Sequence, residues 1–472
     1  MSFTSLHFWL LFPFIFILYW VIPLRYNTYR KLYLIIVSYL LYMNWKPAFA
    51  IVLLGVTLIT FVGGYLFDNQ KNTGNSKRLI GLFALLGLLP LLLFKYYNFL
   101  NDSISEGLST LGLQFALPGL NWPIPVGISF FTFQAVGYML DVHHGRVKAE
   151  KNLIDYVLFV SFFPQVTSGP ISKAEDLMPQ IKVAHQFDYK QGVQGLKWLL
   201  WGMFIKLVVA DRLGIFVDSV YANYIQYNGT TCFVASIFYS FQIYCDFAGY
   251  SLMAIGIAAA MGFDLINNFK RPYLAVSITD FWRRWHISLT RWLTHQVYIP
   301  MGGSRCSKIR NYWNIMVTFL VSGIWHGANW TFIVWGCLHG IAQVVEKAVG
   351  WQRYEGKNMG IKVVRIILTF MIVNFAWIFF RMPTISDAFM IIGQILSSYG
   401  IPRFTEFGSA ACLMSALGIL ILALKDIKDE YFDNRILWLE KSSVQWAAYI
   451  SLFCMILLFG VLDGGQFIYV SF

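Results

Sequence analysis

The sequence has few charged residues and lacks the motifs that identify most soluble enzymes. Only 13% of its 472 residues are charged, whereas 57% are hydrophobic, a balance far from that of soluble globular domains. The six cysteines show no CxxC spacing, no histidine pair has zinc-protease spacing, and no Walker or GxSxG motif occurs. A water-exposed exterior is excluded, and a metal centre, a disulfide framework and a nucleotide-driven pump have no support.

Long apolar runs recur along the whole chain. About 20 helical residues cross a bilayer core of about 30 Å, and runs of that length predict ten or eleven crossings. The predicted spans are 5–22, 30–46, 48–67, 79–99, 190–211, 231–262, 311–338, 361–380, 409–424 and 445–462. No intervening stretch is long enough for a soluble domain, so we expect one all-α, polytopic membrane domain over residues 1–472.

We divide this domain into four parts. They are N-terminal helices (1–100), an irregular segment (101–190), a core expected to hold the functional site (191–350) and C-terminal helices (351–472). The irregular segment is rich in proline and glycine, which interrupt helices, and its apolar pieces 126–142 and 156–171 are short. Irregular backbone at membrane depth must be lined by protein or water, so we expect these pieces to be re-entrant or tilted.

The net charge of +12 fits either a nucleic-acid partner or orientation in a membrane. The basic residues gather in short connections between predicted spans, which favours the membrane. The clusters at 25–31 and 71–78 bracket an even number of crossings, as the positive-inside rule requires for cytoplasmic loops. No Lys or Arg precedes Arg25. The pattern predicts contact with lipid, no nucleic-acid partner, and an N-terminus outside.

One histidine lies inside an apolar run. His326 is the twelfth of 21 residues, 315–335, that contain no other ionisable group. On one continuous helix it would lie about 16 Å from the start of the run, near the bilayer midplane, where a polar group is costly and indicates function. The alternative is a neutral histidine hydrogen-bonded between helices. His339 would lie about 220° around that helix, so we expect a structural role for it unless the helix breaks.

Small and polar residues flank this histidine. Gly323 and Gly327 have the spacing i, i+4, which leaves a strip without side chains on one helix face. Asn329 would lie one turn from Trp325. The strip would admit either another helix or a bound thioester, and the spacing does not choose between them.

A second motif, FWRRWHISLTRWL at 281–293, is amphipathic when projected as one helix. One face carries tryptophans, leucines and His286, and the opposite face carries Arg284 and Arg291. This pattern predicts an interfacial helix whose arginines point toward headgroups or phosphates. His286 then points into the protein, either as a structural donor or as part of a reaction centre.

Seven longer motifs run through the chain. They are WRRWHISLTRW (282–292), YIPMGG (298–303), GIWHGANWTFIVWG (323–336), PVGISFFTFQAVGYMLDV (125–142), FFPQVTSGPI (162–171), FQIYCDFAGYSLMAIGIAAAMGF (241–263) and FIYVSF (467–472). Together they resemble membrane-bound O-acyltransferases (MBOAT), most closely the bacterial alginate O-acetyltransferase branch. One departure is Thr294–His295, where that family commonly carries Arg-Asp before the turn, so an anchoring ion pair is absent.

The resemblance implies a ring of helices around a thin central catalytic tunnel, open to the cytoplasm for an acyl donor and to the far side for an acceptor. It implies that His326 is catalytic and that His286 is the recurrent second histidine. The expected tunnel lining is Trp325, Gly323, Gly327, Asn329, Trp282, Trp285 and Arg283. It also implies a bacterial inner membrane, acetyl-CoA as donor substrate without a bound cofactor, an exported polysaccharide acceptor, and a periplasmic SGNH-hydrolase-like acetyltransferase as partner.

The resulting hypothesis is an O-acetyltransferase in which His326 acts as general base. It would take the proton of an acceptor hydroxyl as the oxygen attacks the thioester carbonyl. An acyl-histidine intermediate remains an alternative to direct transfer. D-alanyl transfer to teichoic acid from a carrier-protein thioester is the alternative enzyme. A proton-coupled transporter with His326 as relay is the alternative from another class, and the inverted repeats that it predicts are not found.

Overall fold

The computed structural model describes residues 3–68, 74–113, 115, 117–353, 356, 358–404, 409–432 and 442–461, and all regular structure in these ranges is helical. The α-helices are, in chain order, α1 (Leu6–Val21), α2 (Asn27–Met43), α3 (Pro47–Phe67), α4 (Gly74–Leu91), α5 (Tyr97–Ser109), α6 (Ile128–His143), α7 (Leu153–Ser161), α8 (Ala174–Lys182), α9 (Tyr189–Met203), α10 (Asp211–Ala222), α11 (Gly229–Ala260), α12 (Ile278–Arg284), α13 (Ile287–Leu293), α14 (Lys308–His326), α15 (Trp330–Ala348), α16 (Met359–Arg381), α17 (Ile385–Ser397), α18 (Ser409–Tyr431) and α19 (Ser442–Phe459). Single π-helical turns cover Leu92–Tyr96, Phe204–Ala210 and Thr294–Tyr298, and 3₁₀ turns cover Leu24–Tyr26, Tyr224–Gln226, Pro272–Leu274 and Trp351–Arg353. The all-α prediction is confirmed for these ranges, whereas the motif at 467–472 lies outside them.

Several helices are long and apolar enough to cross a membrane. Within the described residues they are Pro47–Phe67, Arg78–Ser109, Gly229–Ala260, Met359–Arg381 and Ser442–Phe459. The pair Leu6–Val21 and Leu24–Met43, bent by 105°, would make a sixth span. The ten or eleven crossings therefore stay a prediction, and so does the central tunnel.

The chain forms two compact units. Unit 1 is Met1–Leu196 with Ala254–Ile266, and unit 2 is Lys197–Met253 with Asn267–Phe472. The residues singled out above as catalytic or tunnel-lining all belong to unit 2.

Unit 1 contains the proline- and glycine-rich segment. Within it α6 has 16 residues and α7 has 9, and protein buries most of both. Residues 162–172 follow without a helix and are all buried, as irregular backbone at membrane depth requires. These pieces are short and enclosed by protein, whereas their re-entrant or tilted course in the membrane stays a prediction. The Lys31–Asp155 ion pair, 2.6 Å long, ties α2 to α7.

Unit 2 is organised around the hairpin of α14 and α15. A Cβ added to Gly323 would lie 2.3 Å from the carbonyl oxygen of Phe332, and one added to Gly336 would lie 2.5 Å from that of Phe319. Because no side chain stands between them, the two helices pack backbone to backbone. The single predicted span 311–338 is therefore wrong: it is two helices joined at a turn.

Candidate active site

His326 is the last residue of α14. Gly327 follows in an extended conformation, with φ −161° and ψ 153°, and Asn329 then caps α15 by accepting a hydrogen bond from the amide of Thr331 at 3.0 Å. The side chain of Asn329 also donates to the carbonyl oxygen of Pro383 at 2.8 Å. The placement of His326 halfway along one continuous helix is wrong, so its depth in the membrane no longer follows from counting residues.

The glycine strip beside His326 is filled by α15. At Gly327 an added Cβ would lie 2.0 Å from the ring of Phe332, and Gly323 already contacts the backbone of the same residue. The spacing allowed either a helix or a bound thioester against this strip. In the structure α15 occupies it and leaves no room there for a thioester.

His286 lies at a second helix junction. Its backbone is left-handed, with φ 43° and ψ 55°, and it separates α12 from α13. Buried Asn268 holds the start of α13, because its carbonyl oxygen accepts from the amide of Ile287 at 2.9 Å and its side-chain oxygen accepts from the amide of Ser288 at 3.2 Å. The single helix predicted over 281–293 is therefore wrong.

The burial predicted for that motif is largely right, but the role of one arginine is not. Trp282, Trp285 and His286 are buried. Arg284 bonds to Asp280 at 2.9 Å and to Glu430 at 3.0 Å, so it pairs with carboxylates of the protein rather than with headgroups.

The two histidines lie close together, and Trp325 packs against both of them. His326 is 2% exposed, and its ring centre lies 4.9 Å from those of Trp325 and Trp335 and 5.3 Å from that of Phe380. We call these three residues the aromatic shell. His286 is fully buried, 5.7 Å from Trp325 and 6.4 Å from His326. Apolar rings that exclude water surround a pair of imidazoles.

A third histidine joins this group, contrary to the expectation from one straight helix. The ring of His339 lies 4.9 Å from that of Trp335, and its Nδ1 accepts a hydrogen bond from Nε1 of Trp282 at 3.3 Å. The hairpin folds α15 back along α14 and so returns His339 to the same side as His326. The signal for this break was in the sequence, since glycine followed by a capping asparagine marks a helix end and a helix start.

A cavity of about 310 Å³ opens in unit 2 beside this group. Its lining residues come from α12 to α15 and the adjoining turns: Thr279, Trp282, Arg283, Leu289, Thr290, Leu293, Thr294, Tyr298, Ile315, Thr318, Phe319, Ser322, Gln343, Lys347 and Gln352. We call it the unit 2 cavity. Of the predicted site residues, Trp282 and Arg283 line it, whereas His326, His286, Trp325, Trp285, Gly323, Gly327 and Asn329 do not.

The unit 2 cavity has two cationic lining residues that reach solvent and other lining residues that are deeply buried. Arg283 is exposed and Lys347 is half-buried, whereas Ser322 is 2% exposed. No Asp or Glu occurs among the lining residues of the described chain. Several hydroxyl and amide groups and an apolar floor that includes Phe319 complete it. This lining suits an elongated ligand that is anionic at one end and apolar at the other.

The cavity leads toward His326 along one face of α14. Residues 315, 318, 319 and 322 line it, and this is the i, i+3, i+4, i+7 spacing of a single helix face. The next positions of that face are 325 and 326, which are Trp325 and His326. A rise of 1.5 Å per residue places His326 about 6 Å beyond Ser322 along the helix axis.

Other side chains fix the walls of the cavity. On α15, Glu346 accepts hydrogen bonds from the amides of Ile278 and Thr279 at 2.8 and 2.9 Å, so its carboxylate caps α12. On α14, Asn311 donates to the hydroxyl of Tyr298 and to the carbonyl oxygen of Gly303. These bonds anchor the YIPMGG turn.

The profile of MBOAT, the membrane-bound O-acyltransferase family, matches residues 3–385. The chain belongs to this family. It is a multi-pass membrane acyltransferase, as the sequence predicted, and the transporter alternative is no longer needed. Helices α18 and α19 lie beyond the matched region.

Named relatives share much of the chain. A probable alginate O-acetylase AlgI from Pseudomonas syringae pv. tomato is 37% identical over 418 residues, which cover 87% of this chain and 79% of that protein. A peptidoglycan O-acetyltransferase from Helicobacter pylori is 34% identical over 79% of this chain and 75% of that protein. A teichoic acid D-alanyltransferase from Streptococcus thermophilus is 29% identical over 61% of this chain and 68% of that protein.

Proposed function

We propose that this acyltransferase moves acetyl groups from cytoplasmic acetyl-CoA to hydroxyls of an exported, alginate-like polysaccharide, directly or through a periplasmic SGNH-hydrolase-like partner. The observation that carries the proposal is the cavity-lining face of α14, which begins beside cationic residues and continues to His326. The phosphates of CoA would bind near Arg283 and Lys347, and the acetyl group would reach the imidazole pair.

In this reaction His326 acts as general base. It takes the proton of the acceptor hydroxyl while the hydroxyl oxygen bonds to the thioester carbonyl carbon. The carbon–sulfur bond then breaks, the acetyl ester forms, and the proton passes from the imidazole to the departing thiolate. His286, whose ring centre lies 6.4 Å from that of His326, would orient the imidazole of His326 or stabilise the charge that develops on it. An aromatic shell that excludes water favours transfer to the acceptor over hydrolysis.

Acetyl transfer is proposed ahead of D-alanyl transfer on the strength of the relatives. Those named for O-acetylation are 34% and 37% identical to this chain, whereas one named for D-alanylation is 29% identical over less of it. The positive-inside pattern supports an N-terminus outside, and the bacterial source of the relatives supports the bacterial inner membrane. The donor would then approach from the cytoplasm.

The test is a sidedness experiment. Inside-out membrane vesicles that contain the protein are loaded with alginate oligosaccharide, and labelled acetyl-CoA is added only outside, at the cytoplasmic face. We expect labelled oligosaccharide in the lumen, and we expect none from vesicles with an equal amount of correctly inserted His326→Ala. Undiminished transfer by that variant, or a strict need for acetyl-CoA in the lumen, would contradict the proposal.

A further inference from the structure

The inner end of the unit 2 cavity carries a buried hydroxyl group with unused hydrogen-bonding capacity. Ser322 is 2% exposed, and its Oγ has no hydrogen-bond partner in the described structure. Helical Ser and Thr residues often bond to the carbonyl oxygen one turn earlier, and Thr318, on the same face, does so to Asn314 at 2.7 Å. A buried hydroxyl that makes no such bond is costly and requires an explanation.

The position of Ser322 suggests what its hydroxyl binds. It lines the cavity, and His326 lies one turn further on the same helix face, about 6 Å along the axis. A thioester carbonyl bonded to Ser322 would therefore lie next to an acceptor hydroxyl bonded to His326.

We propose that the hydroxyl of Ser322 donates a hydrogen bond to the carbonyl oxygen of the donor thioester and stabilises the negative charge that develops there. This inference rests on the proposed function. Ser322 keeps its proton throughout: as the acceptor oxygen bonds to the carbonyl carbon, the electron pair of the C=O bond moves to the carbonyl oxygen, and it returns when the carbon–sulfur bond breaks. The proton of the acceptor still passes to His326.

The first test measures the kinetics of purified Ser322→Ala with acetyl-CoA and alginate oligosaccharide. Loss of one donor to a developing oxyanion lowers kcat by about 10²–10³-fold in well-studied hydrolases. For a hydroxyl that rotates freely we expect a loss of about tenfold or more in kcat, with little change in the KM for acetyl-CoA. Ser322→Thr, which keeps the hydroxyl, should restore much of the loss.

The matched control is Ser415→Ala. Ser415, on α18, is also fully buried and has no hydrogen-bond partner in the described structure, but it does not line the unit 2 cavity. Its replacement should leave kcat unchanged. If Ser322→Ala does not fold, Ser322→Cys serves instead, because it keeps the shape and offers only a weak donor.

The second test observes the bond directly and needs no acceptor. Acetyl-CoA labelled with ¹³C at the carbonyl is bound to the protein, and isotope-edited infrared spectroscopy records the carbonyl stretch. We expect a lower frequency than for free acetyl-CoA with the wild type and Ser322→Thr, and a frequency closer to the free value with Ser322→Ala.

The outcomes separate this inference from the proposed function. If the wild type binds acetyl-CoA and Ser322→Ala shows either an unchanged carbonyl band or a kcat within about twofold of wild type, the role of Ser322 is refuted and the proposed function stands. If the wild type does not bind acetyl-CoA, the proposed donor and this inference both fail.

Discussion

The unit 2 cavity and the imidazole of His326 lie along the same face of α14, yet their surroundings differ. The cavity combines an apolar floor with hydroxyls, amides and two cationic side chains, whereas His326, one turn further, is enclosed by two tryptophans and a phenylalanine. Charged and polar groups bind the polar part of a ligand, and a water-poor surrounding strengthens electrostatic effects at the reacting atoms. The contrast suggests a division of labour along one helix, in which one part of α14 binds the donor and the next turn carries the catalytic base. Substitutions can test that assignment.

The largest effect is expected at His326, which the aromatic shell encloses. Replacing His326 by Gln removes the proposed base and should lower kcat about 100-fold or more, with little change in the KM for acetyl-CoA. Steady-state kinetics on purified protein checks this. His144→Gln is the control, since His144 is an exposed histidine at the end of α6. A large rise in KM with normal kcat would show that His326 binds substrate rather than acting as the base.

The next largest effect concerns the hairpin that carries the shell. In Gly323→Ala the new Cβ would lie 2.3 Å from the carbonyl oxygen of Phe332, so α14 and α15 must move apart at a cost of about 1–3 kcal/mol. We expect a lower melting temperature and reduced kcat. The control Gly393→Ala, where nothing lies within 4 Å, should be neutral or slightly stabilising. Equal melting temperatures would refute the tight packing.

A smaller effect is expected on the cavity side. Arg283→Gln removes a cation from the cavity wall and should raise the KM for acetyl-CoA about tenfold, the value of one hydrogen bond to a charged group, while kcat changes little. Arg291→Gln on α13, which does not line the cavity, is the control. Equal KM values for the two variants would contradict the proposal that the phosphates of the donor bind in this cavity.

The smallest effect concerns the support of the cavity wall. Glu346→Gln weakens the charged cap of α12, which should cost about 1 kcal/mol of stability and lower the melting temperature by a few degrees. The control is Asp218→Asn, whose carboxylate pairs with Arg381 on the surface, where ion pairs contribute little. A larger loss in the control would show that surface charge dominates.

Much of the fold class and part of the site could be predicted from the sequence. Composition and apolar runs predict an all-α membrane protein because they indicate whether each segment is more stable in lipid or in water. The recognisable motifs single out His326 and His286. Two helix boundaries were missed. Residues 281–293 and 311–338 look continuous because apolar residues continue through both breaks. A helical projection cannot detect such a break, since it assumes from the start that the segment is one helix.

The residues around the histidines show where sequence reasoning ended. His339 and Ser322 were not assigned to the site: one depended on the hairpin turn, and the other on a cavity wall made by four helices. The spacing does place Ser322 one turn before His326, but no spacing along the chain reveals the cavity that Ser322 lines or the packing of His339 against Trp335.

The sequence by itself determined that this chain is a helical membrane protein with acyltransferase motifs. Hydrophobicity and short motifs are properties of a continuous stretch of chain, so they can be read without the fold. Only the tertiary structure decided that α14 ends at His326, that α15 fills the glycine strip, and that the cavity-lining face continues to the imidazole. Those facts depend on which surfaces meet, and contact between distant residues is fixed by packing rather than by local pattern.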